Sequence, residues 1–433
     1  MSHPKLVEGE VRLIGNRWSP RVHALKAFFA RSRVPYRWMD LERGSAAADA
    51  AEHAIPGSTR FPVVLFPDGS FLIDPDVREV ATRLGLDIDP DARCYDLIVV
   101  GGGPAGLAAS IYSASEGLRT LVVEQEVPGG QVTYSAIVEN YPGFPEAQTG
   151  SDLARRTVEQ AERFGVEILV TRRATRLATD GDSFRVTLDD TTAVAAHTVL
   201  LALGVSFRWL EVPGCSALVG AGIYYGAATA EASACRDQDI YILGGGNSAA
   251  QAALLLSQFA RRVVILTLES SLEESVSHYL VERIGRVPNI IVRPSHTVVA
   301  AEGNGRLEKI TIRNVKTGAT EQVQADGLFV FIGATPRTEW LGNSVTRDSQ
   351  GFILSGTDLL RDCRPPEGWP LAREPYGLET STPGVFVAGD VRHGSVKRLA
   401  AAVGEGAMAV QFIHWYLSRK EAPASQETAT VSR

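Results

Sequence analysis

The first candidate for chemistry in this 433-residue chain is a glycine-rich loop at residues 101–106. It follows a short apolar run at residues 95–100, as expected for a buried parallel strand, and leads into a helical pattern of small residues. Strand, G-x-G-x-x-G and helix in this order bind the phosphates of a dinucleotide. Gly101 permits the tight turn, Gly103 lets the backbone approach a pyrophosphate, and Gly106 lets the helix pack on the strand. The predicted phosphate-binding residues are Gly101, Gly103, Pro104, Ala105 and Gly106.

A carboxylate follows this loop at the distance expected for ribose recognition. A second strand-like run ends in Glu124, 18 positions after Gly106, and dinucleotide-binding units place an acid about 20 residues after the last glycine. The helix N-terminus contributes about half a positive charge and free amides for the phosphates. These features together predict a dinucleotide site. The alternative, in which Glu124 is a solvated charge at a strand end, stays open.

A second segment, residues 239–256, repeats the order of strand, glycine loop and helix. Its loop matches the G-x-G-x-x-A variant of the same fingerprint at Gly244, Gly246 and Ala249. The chain therefore carries two separate nucleotide-loop signals. The residues predicted at the second loop are Gly244, Gly246, Asn247, Ser248 and Ala249.

Further segments, in their order along the chain, carry a resemblance to a known family. They read GGQVTYSAIVENYPGFP at 129–145, VLLALG at 199–204, GVFVAGDV at 384–391 and KRLA at 397–400. Over about residues 95–420 the chain resembles the low-molecular-weight thioredoxin reductases. The resemblance implies FAD at the first loop and a nicotinamide nucleotide at the second.

The resemblance also implies roles for particular residues at the flavin. Asp390 matches the aspartate that hydrogen-bonds the ribityl chain, and residues 397–400 match the stretch whose backbone amide caps the pyrimidine edge of the ring. The helix that follows directs its N-terminal dipole at the ring, which stabilises a reduced, anionic flavin. The residues implied at FAD beyond the first loop and Glu124 are Gly129, Gly130, Gln131, Asn140, Gly204, Gly389, Asp390, Lys397, Arg398, Leu399 and Ala400.

The second loop departs from the family where the nucleotide is selected. In the family an arginine pair after the next strand holds the 2′-phosphate of NADPH, and the matching residues here are Leu268 and Glu269. A charge-assisted hydrogen bond is worth about 1.5–3 kcal/mol, so its loss lowers affinity roughly tenfold to a hundredfold. Glu269, which lies two positions beyond the usual strand-end acid, would also repel the phosphate. NADH, NADPH and neither nucleotide stay open as alternatives.

The cysteine pair of the family is missing. Its Cys-x-x-Cys matches Ala227 and Ala230, and its catalytic aspartate matches Glu231, the candidate general acid. Disulfide exchange needs one thiolate to attack and a second thiol to resolve, so we expect no disulfide reductase activity. The chain has four cysteines, far apart and without a Cys-x-x-Cys: Cys94, Cys215, Cys235 and Cys363.

Residues 1–90 alternate strand-like and helix-like runs and resemble a thioredoxin or glutaredoxin fold. Where that family has Trp-Cys-Pro-x-Cys, residues 18–22 read W-S-P-R-V. Pro62 is the candidate for the cis-proline that faces this motif. We expect the fold to be kept and the redox function to be lost.

These elements define the predicted organisation, an α/β fold with two Rossmann-like, three-layer dinucleotide-binding domains and an amino-terminal thioredoxin-like domain.

The net charge of −7 offers no basic surface for nucleic acid. No apolar stretch reaches the roughly 18 residues of a membrane span, and residues 1–10 are not a signal peptide. We expect a cytoplasmic protein, and the family implies a homodimer. The predicted domains are 1–90 (thioredoxin-like), 91–205 (first FAD half), 206–335 (pyridine-nucleotide-like), 336–420 (second FAD half) and 421–433 (a disordered tail).

Three functions fit this sequence. The first is an oxidoreductase that passes electrons from NADH, NADPH or a protein through FAD to a non-disulfide acceptor, such as a quinone or oxygen. The second is a non-catalytic or regulatory FAD-binding protein with a thioredoxin-like interaction module. The third takes its electrons from a protein such as a ferredoxin, without a nicotinamide nucleotide.

Overall fold

The fold was analysed in a computed structural model, which describes most of the chain. Within the described residues, no helix is both long enough and apolar enough to cross a membrane. The described residues are 10–16, 18–32, 34–41, 60–134, 138, 141–189, 191–225, 232–362 and 364–421.

The amino-terminal unit is a four-stranded mixed sheet with the order β2-β1-β3-β4. β1 pairs in parallel with β2 and antiparallel with β3, and β3 forms a hairpin with β4 across a turn at Asp68 and Gly69. The Phe61–Pro62 peptide bond is cis, as predicted. A capping box between Asp76 and Glu79 begins α2. The elements are β1 (Val11–Gly15), α1 (Pro20–Ser32), β2 (Tyr36–Asp40), β3 (Val63–Leu65), β4 (Phe71–Ile73) and α2 (Val77–Arg83).

A seven-stranded sheet forms the centre of the next unit, with the order β7-β6-β5-β10-β9-β8 and with β21 paired to β10. From Leu97 to Val100, successive side chains of β5 alternate between two apolar cores, which explains the apolar run at the end of this strand. The strands are β5 (Cys94–Val100), β6 (Thr120–Val123), β7 (Glu167–Leu169), β8 (Ala174–Asp180), β9 (Ser183–Leu188), β10 (Ala193–Leu201) and β21 (Val385–Val387). The helices are α3 (Pro104–Ser115), α4 (Gly150–Arg163) and α7 (Leu399–Glu421).

The inserted unit lies in sequence between β10 and β21, which are neighbours in the large sheet. It has a five-stranded parallel sheet, order β12-β19-β13-β14-β15, between helices and a three-stranded antiparallel sheet. Two short strands, β11 (Ser206–Phe207) and β20 (Ala334–Thr335), pair where the chain enters and leaves it. Its parallel strands are β12 (Ile223–Tyr225), β13 (Asp239–Leu243), β14 (Arg262–Thr267), β15 (Ile290–Pro294) and β19 (Gly327–Val330). The other elements are α5 (Asn247–Leu256), α6 (His278–Gly285), β16 (His296–Glu302), β17 (Lys309–Asn314) and β18 (Thr320–Gln324).

Candidate nucleotide-binding sites

The first glycine loop joins β5 to α3, and its glycines are required by close backbone contacts. Gly101 has φ +108°, and a Cβ there would lie 2.8 Å from the carbonyl carbon of Ala202. A Cβ on Gly106 would lie 3.0 Å from Val99 Cγ1 and would clash with the loop itself. Gly103, the N-cap of α3, has more room, because a Cβ there would have its nearest contact 3.9 Å away. The loop therefore packs tightly on its sheet side and leaves space at the residue predicted to approach a pyrophosphate.

Glu124, directly after β6, turns its carboxylate into this loop. Its Oε2 accepts a hydrogen bond of 2.7 Å from the Gly102 amide, and its Oε1 accepts one of 2.8 Å from the Glu126 amide. The residue is only 7% exposed, and burial raises the pKa of its carboxyl. Glu124 is therefore not a solvated charge at a strand end. Its position beside the loop suits the predicted contact with a ribose.

The segment at residues 129–131 lies against the same loop. The Gly129 amide donates to the Gly102 carbonyl at 2.7 Å, and a Cβ on Gly130 would lie 2.9 Å from the Cα of Gly103. Gln131 donates through Nε2 to the carbonyl of Val205, next to Gly204, which has φ +60°. The structure thus brings these predicted flavin residues together. Asn140, predicted in the same group, lies outside the described residues.

The turn Gly389–Val391 brings Asp390 to the loop from the other end of the chain. A Cβ on Gly389 would lie 2.9 Å from the Cβ of Ala105. Burial raises the pKa of Asp390, and Lys397 Nζ donates to its backbone carbonyl at 3.3 Å. Of the other residues predicted here, Arg398 is exposed, and its backbone carbonyl accepts a hydrogen bond from the Ala402 amide. Leu399 and Ala400 begin α7.

The sequence did not reveal the pair that holds this turn. Glu405 on α7 accepts the Gly389 amide at 2.7 Å and the Arg392 guanidinium at 2.6 Å. The only signal in the sequence is one acid inside the otherwise apolar and glycine-rich stretch at 401–410. This pair fixes the backbone that carries Asp390.

The second glycine loop joins β13 to α5. Gly244 has φ +147°, and a Cβ there would lie 2.9 Å from the carbonyl carbon of Phe331. Gly246 is the N-cap of α5, and Ala249 is buried in its first turn. Asn247 Oδ1 accepts the Ser277 amide at 2.7 Å, while Ser248 is exposed. As in the first loop, the first glycine has a positive φ and a later glycine is the N-cap of the following helix.

Glu269 lies beside this second loop, although it is two positions beyond the end of β14. A Cβ on Gly245 would lie 2.8 Å from the Cδ of Glu269. The Thr267 hydroxyl donates to Glu269 Oε2, while Leu268 between them points outward and is 60% exposed. The side chains of Thr267 and Glu269 therefore face the loop together, two positions apart. The predicted two-position offset does not keep the acid away from the loop.

Glu231, the candidate acid, and the matched residues Ala227 and Ala230 lie outside the described residues. Cys215 and Cys235 are buried, the latter in the apolar core beneath α5. Burial raises the pKa of the Cys215 thiol to about 11. Among the described residues, no cluster of three or more metal-binding side chains occurs.

The face of the amino-terminal unit that carries the W-S-P-R-V segment contacts the inserted unit. The Arg306 guanidinium lies 5.6 Å from the ring centre of Trp18, and the rings of His23 and Tyr224 are 5.1 Å apart. A Cβ on Gly220 would lie 2.9 Å from the Cα of Pro20. This face is therefore engaged within the chain.

A mixed sheet and a parallel sheet, each with a glycine loop and a carboxylate beside that loop, define an α/β protein with two dinucleotide-binding units. Comparison with known proteins identifies the family. The chain belongs to the pyridine nucleotide-disulphide oxidoreductases, whose family model matches residues 95–406. Members of this thioredoxin reductase-like family bind FAD and use NADH or NADPH, which confirms the predicted FAD. The choice between the two nicotinamide nucleotides stays open.

Individual relatives agree with this family. Thioredoxin reductase of Treponema pallidum is 32% identical over 75% of this chain and 97% of its own. A component of the alkyl hydroperoxide reductase of Staphylococcus epidermidis is 30% identical over 79% of this chain, but the match spans only 64% of that relative. The crystal structure of Lactococcus lactis thioredoxin reductase superposes with a TM-score of 0.67, at 28% identity, over 75% of this chain and 99% of that one. The predicted α/β dinucleotide-binding fold is confirmed.

Proposed function

We propose that this protein is an FAD-dependent oxidoreductase that passes electrons from a donor through FAD to an acceptor other than a disulfide. The observation that carries the proposal is a contrast between the residues that match the family at the flavin and those that match its redox pair. Of the residues predicted at the flavin, Glu124, Gly129, Gly130 and Gly389 lie against the first loop. The matched redox pair is Ala227 and Ala230.

FAD, when bound, supplies the two-electron redox chemistry, and the residues of this chain hold and orient it. The first loop and the N-terminus of α3 receive the pyrophosphate, and Glu124 receives the ribose hydroxyls. Asp390 receives the ribityl chain on the turn fixed by Glu405. Glu231 would hold the proton for the acceptor.

The thiols of the described residues support a non-disulfide acceptor. Disulfide exchange requires a thiolate. Cys215 is buried with a raised pKa, and Cys235 is buried in an apolar core. Cys94 is exposed, but it begins β5, at the end of the strand opposite the glycine loop. None of these three is placed beside a second cysteine among the described residues.

We propose further that residues 1–90 keep a thioredoxin-like fold without redox chemistry. The strand order β2-β1-β3-β4 supports this assignment. Pro62 lies near the start of α1, because a Cβ on Gly15 would touch both Pro62 and Val22. Since the contacts of Trp18 and His23 engage the motif face within the chain, they argue against its use as a module for an external partner.

The test compares acceptors under anaerobic conditions. Purified protein should be yellow, and a reduced nicotinamide nucleotide should bleach the flavin absorbance. A soluble quinone should then be reduced and a small aromatic disulfide should not. The Ala227→Cys/Ala230→Cys double variant, which restores the pair, should gain disulfide reduction and so serves as the matched control. Turnover of the disulfide by the unmodified protein, as fast as that of the quinone, would overturn the proposal.

A cytoplasmic homodimer is proposed as the assembled form. Its support in the structure is a group of exposed apolar side chains on α3 and α7, Tyr112, Met408 and Trp415, which are 47%, 52% and 45% exposed. Light scattering during gel filtration should give twice the chain mass of 46.5 kDa. Met408→Glu should lower the mass toward one chain, and a monomeric unmodified protein would contradict the proposal.

A further inference from the structure

We propose that Glu269 is the ribose-binding carboxylate of the inserted unit and makes it selective for NADH over NADPH. This inference rests on the proposed function, because it assumes that a nicotinamide nucleotide is the electron donor. It goes further by naming the nucleotide and the residue that selects it.

The evidence is a comparison of the two loops within one molecule. Gly102 and Gly245 are equivalent, since each is the second residue after its strand, β5 or β13. A Cβ on Gly102 would lie 3.2 Å from Glu124 Oε2, and one on Gly245 would lie 2.8 Å from Glu269 Cδ. Each acid thus lies against the middle glycine of its loop. The two carboxylates therefore occupy equivalent places, although they lie at different distances in sequence from the ends of their strands.

The position of the carboxylate at the second loop depends on Thr267. The Gly101 amide bonds the Val123 carbonyl and the Gly244 amide bonds the Leu266 carbonyl, so Thr267 is the equivalent of Glu124. Glu269 lies two positions further along, and an extended chain directs its side chain to the same side as that of Thr267. Thr267, which is fully buried, donates its hydroxyl to Glu269 Oε2. This bond holds the carboxylate against the loop. Glu269 is therefore positioned and not simply a surface charge.

The chemistry of a carboxylate at this place favours one nucleotide. It accepts hydrogen bonds from ribose hydroxyls, as acids do in NAD-binding units, whereas NADP-binding units place an arginine near the 2′-phosphate. A phosphate beside Glu269 would meet like charge. Other charges at this corner are Lys316, whose Nζ donates to Ser270 Oγ at 3.2 Å, and Arg293, which pairs with Glu321. Lys316 is the cation that could still hold a phosphate, so the experiment must measure both nucleotides.

Calorimetric titration of the flavin-loaded protein with NAD⁺ and with NADP⁺ tests the inference without turnover. The unmodified protein should bind NAD⁺ at least about tenfold more tightly, the effect of one charge-assisted hydrogen bond. Glu269→Gln keeps the side-chain shape and removes the charge, and it should shift the ratio toward NADP⁺ by about tenfold. Glu308→Gln makes the same charge change at an exposed acid whose carbonyl accepts the Ala325 amide just before β19, at the end of the parallel sheet opposite the loop, and it should leave the ratio unchanged.

Three results would overturn the inference: tighter binding of NADP⁺ by the unmodified protein, an unchanged ratio in Glu269→Gln, or binding of neither nucleotide. The proposed function is tested separately by reducing the flavin with dithionite and then adding the quinone. Electron transfer to the quinone without nucleotide binding would leave the proposed function intact and reject Glu269 as its selector.

Discussion

The two glycine loops share one local construction but differ in how firmly each acid is held. Glu124 is 7% exposed and is fixed by two backbone amides. Glu269 is half-buried and is oriented by one hydroxyl. A carboxylate locked by backbone suits a cofactor that stays bound. One held by a single side chain suits a nucleotide that must arrive and leave in each cycle.

The segments packed against the two loops also differ. The first loop is packed by segments from both ends of its unit, since Gly130 touches Gly103 and Gly389 touches Ala105. On α7, a Cβ at Gly406 would lie 3.0 Å from the carbonyl carbon of Ala105. Besides the contact of Gly244 with Phe331, the second loop is held by side-chain hydrogen bonds with residues 275–277. Changes at the first loop should therefore affect both FAD and folding, and changes at the exposed residues of the second loop should mainly affect nucleotide binding.

The largest expected effect comes from Gly101→Ala. The positive φ and the contact with Ala202 oppose any side chain, and strain of this kind costs roughly 2–5 kcal/mol. We expect a colourless or unstable protein, measured by flavin absorbance and urea unfolding. Gly246→Ala in the second loop is the control, because Gly246 has a negative φ and open space at its Cβ. A yellow Gly101→Ala protein of normal stability would contradict the predicted difference between the two loops.

A smaller loss is expected from Glu405→Ala. It removes the acceptor of the Gly389 amide and the charged partner of Arg392, and hydrogen bonds to charged groups contribute about 1.5–3 kcal/mol. FAD affinity and the free energy of unfolding should both fall, while NAD⁺ affinity stays unchanged. Glu405→Gln keeps an acceptor and should lose less. Equal losses of FAD and NAD⁺ would show that the two loops are not independent.

The next prediction concerns pH. Burial raises the pKa of Glu124, so the folded apoprotein holds this proton more tightly than the unfolded chain does. Stability contributed by this proton is therefore present at low pH and is lost as pH rises from the ordinary glutamate range through the raised pKa. Glu124→Gln should flatten this slope in urea unfolding of apoprotein between pH 4 and pH 8. The same slope in both proteins would contradict the burial argument.

The smallest effect is expected from Thr267→Val. The change removes one hydroxyl hydrogen bond, worth about 0.5–1.5 kcal/mol, so the preference for NAD⁺ over NADP⁺ should fall about two- to tenfold. In the Glu269→Gln background the same change should have little further effect, because the two residues act together. Additive effects of the two changes would mean that Thr267 does not orient Glu269.

The sequence predicts the parts of this molecule whose causes are local. The steric need for glycine at Gly101 and Gly106 is visible in their spacing, and the cis bond at Pro62 follows from a recognisable segment. The contact of Glu269 with its loop could not be predicted from spacing, because the acid lies two positions after the equivalent of Glu124 and is held there by the Thr267 hydroxyl. Glu405 was missed because its partner, Arg392, lies 13 residues earlier and meets it only when α7 packs against the turn.

The contact between Trp18 and Arg306 has a mechanical consequence. The inserted unit joins the large sheet's unit through the short pair β11 and β20. The amino-terminal unit is tied to that same large unit by the ion pair of Arg31 with Glu126 and by Arg78, which bonds Asp189 and the Thr171 carbonyl. A rotation of the inserted unit about β11 and β20 must either separate Arg306 from Trp18 or break the ion pairs between the amino-terminal unit and the large sheet's unit. The fluorescence of Trp18 would therefore report such a rotation.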